Sequence, residues 1–209
     1  MAAKRADEAA AVMHYGAMDS GSVDFLRELL AETGWVERTR ELGLALRATR
    51  SPGGLLLVGT PEEEPWHLTA HLADEARLSG LPQLAPTLVR WSPPPGAPAH
   101  LRVGLDRVRR AGRGETLFVV AEGQAPVPLL ERVDDARRVG ATILALEGAH
   151  PEVAGLAHDA IAVPAGGPVS FDGAQHLVSA AAGEIPRNVG LRERLARLLE
   201  KVTGPQVTD

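Results

Sequence analysis

Short runs of apolar residues alternate along the chain with longer segments whose apolar positions recur every three or four residues. The runs are residues 54–59 (Gly54 to Gly59, with Leu55-Leu56-Leu57-Val58 inside), 87–91 (Thr87 to Trp91), 116–121 (Thr116 to Ala121), 141–146 (Ala141 to Leu146) and 160–163 (Ala160 to Val163). Runs of this length that are apolar throughout predict strands covered on both faces, and therefore a parallel sheet. The periodic segments predict helices. Ser22 caps one that runs to about Thr33, with Leu26, Leu29 and Leu30 on one face and Gly34 at its end. Trp35 to Arg50 reads as a second, with Trp35, Leu42 and Leu46 inward, and Pro52-Gly53-Gly54 breaks it.

Further helices are expected at about 65–79, 99–111, 127–139, 151–156, 169–182 and 190–202. Leu129, Leu130, Val133 and Ala136 give the 127–139 segment a buried face, and Leu191, Leu195, Leu198 and Val202 form one stripe in the last. Residues 1–19 show no clear period and read as a flexible leader, and 20–209 read as one domain. Two leading helices followed by five strands alternating with helices predict an α/β fold. It is a three-layer α-β-α sandwich around a five-stranded parallel sheet, with an N-terminal helix pair and a C-terminal helix.

In such a sheet, ligands sit on the loops that leave the carboxyl ends of the strands and feed helix N-termini. The first of these loops reads Gly59-Thr60-Pro61-Glu62-Glu63-Glu64-Pro65 and the second Glu122-Gly123-Gln124-Ala125-Pro126. Phosphate-cradling loops carry Gly, Ser or Thr; here glutamates stand where an anion would sit. Thr60-Pro61-Glu62-Glu63 has the form of a capping box, with a helix start at Pro65 as the alternative.

Composition narrows the function classes. Of 209 residues, 44% are hydrophobic but only 3% aromatic, so the core must come from Leu, Val, Ala and Ile. The absence of cysteine excludes disulfides, thiolate metal sites and cysteine nucleophiles, and fits a cytoplasmic protein. A net charge of −5 gives no electrostatic footprint for nucleic acid. Arg107, Arg109, Arg110 and Arg113 read as a solvated helix face. No apolar run approaches the ~20 residues of a membrane span, and no apolar stretch follows Lys4 and Arg5 as in a signal peptide.

Residues 22–183 resemble the sugar isomerase (SIS) domain family, in particular its phosphoheptose isomerase branch. The resemblance rests on the helix pair 22–50 ahead of Gly53-Gly54-Leu55-Leu56-Leu57-Val58-Gly59, on His71-Leu72-Ala73-Asp74-Glu75, and on Gly114 to Val120 with the segments 129–140 and 141–146. It ends with Ala157-His158-Asp159-Ala160-Ile161-Ala162-Val163-Pro164. It implies a flavodoxin-like sandwich, phosphosugar-type ligands bound across subunits, and a homodimer or homotetramer. In the isomerase branch it also implies metal-assisted proton transfer between C1 and C2 of a ketose phosphate. There a His-x-x-x-Glu helix supplies a metal ligand and the base, and a late helix supplies Gln and His.

Carried onto this chain, the resemblance implies Glu75 as base, His176 as acid, and His71 with Glu75 as ligands to a divalent metal, zinc being the candidate. Gly59, Thr60, Gly123, Gln124 and Gln175 are the implied ligand-binding positions. The chain departs from the family where its first loop keeps Gly59 and Thr60 but follows them with three glutamates, where its second loop keeps Gly123 alone with no hydroxyl, and where a His is expected eight residues after Gln175: that position is Gly183. His67, His71 and Glu75 share one helix face at i, i+4 and i+8. His67 and Glu75 are ~12 Å apart along the axis, so further metal ligands must come from Gln175, His176 or another subunit. Three readings follow. One is a divergent member that binds a sugar-phosphate-like or related small polar ligand without isomerase activity. Another is an active ketose/aldose phosphate isomerase using Glu75. A third is a structural or interaction protein that reuses the fold.

Overall fold

The computed structural model describes residues 20–31, 33–148 and 151–184. The leader 1–19 and the expected helix at 190–202 lie outside these. Helix α1 is Ser20–Leu29 and α2 is Trp35–Arg47. Strand β1 (Leu55–Val58) leads to α3 (Trp66–Ser79), and β2 (Thr87–Val89) to the short α4 (Asp106–Arg109). Then come β3 (Thr116–Ala121), α5 (Val127–Arg138), β4 (Thr142–Glu147), α6 (Pro151–Ala154), β5 (Asp159–Ala162) and α7 (Phe171–Gly183).

All strand pairings among the described residues are parallel, in the order β2-β1-β3-β4-β5. Alternate side chains of each strand enter opposite cores. Leu55, Leu57, Phe118, Val120, Leu144, Leu146 and Ile161 face one layer, built from α1, α2, α3 and α7 through Val23, Leu42, Leu46, Leu68, Leu72, Leu177 and Val178. Leu56, Val58, Leu117, Val119, Ile143 and Ala145 face the other, where Val108, Leu129, Val133, Ala136 and Val153 of α4, α5 and α6 cover them. The sandwich expected from uniformly apolar strands is therefore present, with both sheet faces closed.

The layers set the position of the site. The chain leaves β1 for α3 on one face and leaves β3 for α5 on the other. The carboxyl ends of β1 and β3 consequently flank the point where strand order reverses, which is where open α/β sheets form a crevice. Helices α2 and α7 approach so closely that a Cβ on Gly43 would lie 2.8 Å from Ala181 C and Ala182 N.

Some expectations need correction. The helix expected at about 99–111 breaks into a 3-10 turn at Ala99–Leu101 and the short α4. Gly104 lies between them and bridges Arg90 beyond β2, while the Arg90 amide donates to Val103 O at 2.8 Å. A Gly costs a helix interior about 1 kcal/mol relative to Ala, and the Gly104 carbonyl accepts from the Arg107 amide at 2.9 Å, where α4 starts. Ser22 sits inside α1 rather than at its cap, and that helix stops at Leu29. Strand β2 ends at Val89, not Trp91.

Candidate functional site

The first loop folds onto itself. The Thr60 amide donates to Glu63 O at 3.1 Å, and the Thr60 hydroxyl accepts from the Glu63 amide at 3.2 Å. Thr60 is buried as a result. A Cβ on Gly59 would clash with the Glu63 carbonyl oxygen, far inside their van der Waals contact distance, so only Gly allows this return. The Thr60–Glu63 pairing has capping-box chemistry, but it closes the loop and starts no helix: α3 begins at Trp66 after Pro65, without a side-chain cap. The Thr60 and Glu63 amides are thereby used within the loop.

Glu64 then clamps the loop to the end of β2. Its carboxylate accepts from Arg90 Nε at 2.9 Å, the Trp91 amide at 3.0 Å and Trp66 Nε1 at 3.1 Å. Trp91 Nε1 donates to Gly59 O at 2.8 Å, and the Arg90 guanidinium lies 4.6 Å from the centre of the Trp66 ring. Arg90, the basic residue beside this loop, is thereby neutralised.

Behind the loop a cavity of about 450 Å³ is lined by Glu63, Glu64, Trp66, His67 and Val120, and by Asp172 and Gln175 of α7. Neither Lys nor Arg lines it. Partial burial pushes the Glu63 carboxyl up from its ordinary value, and the charges of Glu122 and Asp172 push it further the same way. The expected ligand positions divide. Gln175 lines the cavity, with its amide nitrogen donating to Asp172 Oδ1 at 3.2 Å. Gly59 and Thr60 are buried in the closed first loop, whereas Gly123 and Gln124 are exposed on the second loop.

One turn into α3, His67 and His71 meet His176 of α7. His67 Nε2 is 3.0 Å from His176 Nε2 and 2.9 Å from His71 Nε2, and the ring centroids are 4.5–4.6 Å apart. The meeting is dictated by local structure. The i, i+4 spacing stacks His67 over His71, and Ser170 caps α7 by accepting from the Gly173 amide at 3.0 Å, which fixes where His176 faces. Burial lowers the His176 pKa to about 4, helped by the neighbouring His71 and His67 and opposed by Asp172. Burial, then His67, lowers His71 as well.

Glu75 lies a further turn along α3, against Gly183: a Cβ there would overlap the Glu75 carboxylate. Burial raises the Glu75 carboxyl, with Arg27 opposing and Asp74 adding. The structure thus brings His71 and His176 together, as the expected site requires, and adds His67. It holds Gln175 on Asp172 and leaves Glu75 beside a Gly where the resemblance requires a His. His67, Glu63, Glu64, Arg90 and Asp172 are site residues that sequence reasoning did not choose. The His67–His71 spacing was the signal available for the first.

The fold and site define a parallel, three-layer α/β protein with an acid-lined pocket at its switch point and a histidine cluster beside it. No protein-family model matches the chain, and no curated protein matches it. Among solved structures, it is similar to a "putative phosphosugar isomerase" from Silicibacter pomeroyi DSS-3, with 18% identity and a TM-score of 0.49 over 85% of this chain. It is also similar to a "putative sugar binding protein" from Salmonella typhimurium LT2, with 16% identity and a TM-score of 0.41 over 80% of this chain. The chain spans about half the length of each, 52% in both cases. No helix among the described residues is long and apolar enough to cross a membrane.

Proposed function

We propose that this chain binds a small, uncharged sugar-like ligand in the cavity between the carboxyl ends of β1 and β3, as a divergent relative of the sugar isomerase domains. The observation that carries this is the closed first loop: the Thr60 and Glu63 amides are paired within it, and carboxylates line the space beyond. A phosphate approaching Glu63 or Asp172 meets about 3 kcal/mol of repulsion per pair of unit charges 5 Å apart, at an effective dielectric near 20. A polyol meets no such penalty. Its hydroxyls donate to the same carboxylates, and the 42% exposed Trp66 offers a ring for its C–H face. The cavity stays open beside Trp66 and the glutamates, which weighs against a purely structural role.

A second reading, isomerase activity with Glu75 as base, has its own support. Burial raises that carboxyl, one turn from His71, in the direction a general base needs. The homo-oligomer implied by the resemblance belongs to the same proposal, with the exposed Phe25, Leu44 and Leu78 as candidates for its contacts.

The test is a thermal-shift and calorimetric panel of neutral monosaccharides, polyols, sugar phosphates and inorganic phosphate, with light scattering for the assembly. Binding at a hundredfold excess over Kd stabilises by about 2.7 kcal/mol, which a melt reads easily. Stabilisation by neutral sugars and not by their phosphates is expected. Preferential binding of sugar phosphates overturns the reading, and ketose–aldose phosphate turnover abolished by Glu75→Gln replaces it with the second.

A further inference from the structure

We propose that His67, His71 and His176 together hold one divalent transition-metal ion, zinc being among the ions that their donors suit. This goes beyond the sugar reading and does not depend on it. It also differs from the donor set that the resemblance implies. That set pairs His71 with Glu75, a Gln and a later His. Here Glu75 sits one turn away against Gly183, and Gln175 is held by Asp172.

The geometry favours an ion over a mere hydrogen-bonded cluster. One ring nitrogen from each of the three histidines lies within 4.8 Å of the other two. Both short contacts fall on the same atom, Nε2 of His67. An imidazole nitrogen carries either one proton or one lone pair, so it cannot form two full-strength hydrogen bonds to two other Nε2 atoms. A metal ion removes the conflict, because all three nitrogens then present lone pairs to one centre. Tetrahedral coordination at 2.0–2.1 Å from each nitrogen needs N···N separations of about 3.3 Å. The observed 2.9 and 3.0 Å contacts require only a slight opening.

The donors also choose the ion class. Three imidazoles without thiolate or carboxylate suit zinc, copper, nickel and iron and disfavour magnesium and calcium, which take oxygen ligands. Three protein ligands leave a position for water or an oxygen from a ligand. Because His67 belongs both to the cluster and to the cavity wall, that position can be shared with whatever occupies the cavity. The ligands rest on two packed helices rather than on loops, so little ordering accompanies binding.

The test uses the full chain, stripped with chelator and titrated with Co²⁺ at neutral pH. One Co²⁺ per chain is expected, with the intense visible bands of four- or five-coordinate cobalt, and one Zn²⁺ should displace it. His71→Ala and His176→Ala should each weaken binding at least tenfold. His100→Ala, an exposed position outside the cluster, should not. Circular dichroism of each variant without metal checks folding, and His67→Gln gives a gentler reading if an alanine variant unfolds. X-ray absorption of the zinc-loaded wild-type chain counts imidazole ligands without any variant, and three are expected. Absence of saturable one-to-one binding, a pale six-coordinate cobalt spectrum, or unchanged binding in a folded His176→Ala overturns the proposal. No sugar enters the experiment, so its failure leaves the sugar reading standing, and the reverse also holds.

Discussion

The Glu64 clamp decides whether the first loop stays closed, and its strength can be worked from its geometry. The Glu64 and Arg90 side chains are 12% and 17% exposed and meet at 2.9 Å. That places the pair well above the 0–1 kcal/mol of an exposed surface bridge. Glu64→Ala removes a charge-assisted bond worth about 1.5–3 kcal/mol and leaves the Trp91 amide without its 3.0 Å acceptor, a further 1–3 kcal/mol unless water replaces it. Allowing for water entry, the expected loss is about 3 kcal/mol, or a fall in Tm of about 6–12 °C for a chain of this size. The measurement is urea unfolding followed by far-UV circular dichroism, because Trp66 and Trp91 belong to the clamp and would confound fluorescence. A double-mutant cycle with Arg90→Met should give a coupling of about 1–3 kcal/mol. Glu64→Gln, which keeps one acceptor oxygen but no charge, should fall between. The same change frees the Arg90 guanidinium, so Glu64→Ala should gain measurable affinity for inorganic phosphate. A loss below about 0.5 kcal/mol with additive single variants would refute the clamp and with it the account of why the loop rejects anions.

Acid should destabilise the metal-free protein through His176. Its folded pKa of about 4 lies below the ordinary 6.5, so the unfolded chain binds the extra proton and stability falls as pH drops from 6.5 towards 4. At about 1.4 kcal/mol for each pH unit between the two values, the loss reaches roughly 3 kcal/mol. The raised carboxyls of Glu63 and Glu75 work in the opposite direction, so the comparison is between wild type and His176→Phe, whose denaturation profile should be flatter over that window. A wild-type profile no steeper than the variant's would show that His176 is not held neutral. Gly43→Ala should destabilise by about 2 kcal/mol, because its Cβ meets the α7 backbone at 2.8 Å and overpacking outweighs a gain in helix propensity of up to about 1 kcal/mol. A thermal melt checks the sign, and a variant more stable than wild type would mean that α2 and α7 can separate freely.

The sheet was legible because burial on both faces leaves its central strands few polar positions. The run Thr116–Ala121 is buried at every residue and matches its expected bounds, and β1, β4 and β5 shift by one residue at most. The expected helix over 99–111 failed because its apolar spacing outweighed Gly104, whose place beside Arg90 depends on a sheet edge the local sequence does not show. Within the site, the glutamates of the first loop were readable. The destination of their carboxylates was not, since Glu64 finds its partners 26 and 27 residues away at Arg90 and Trp91. His176 entered as an implied acid and a possible further metal ligand through the resemblance, with no local signal on α7 to place it beside His67 and His71. Its two partners stand more than a hundred residues earlier on α3, a long-range contact that spacing along one helix cannot reveal.

The two halves of the site make joint electrostatic sense. Glu63, Glu122 and Asp172 raise the negative potential around the cavity, which disfavours a phosphate and leaves a neutral polyol unaffected. Buried imidazoles with lowered pKa values stay neutral near pH 7, so they add no positive charge to offset those acids. A pocket lined in this way accommodates a cation or a hydroxyl donor far more readily than an anion. The closed first loop uses the Thr60 and Glu63 amides internally, and the acids around the cavity favour positive charge one helical turn away, where the three histidines converge.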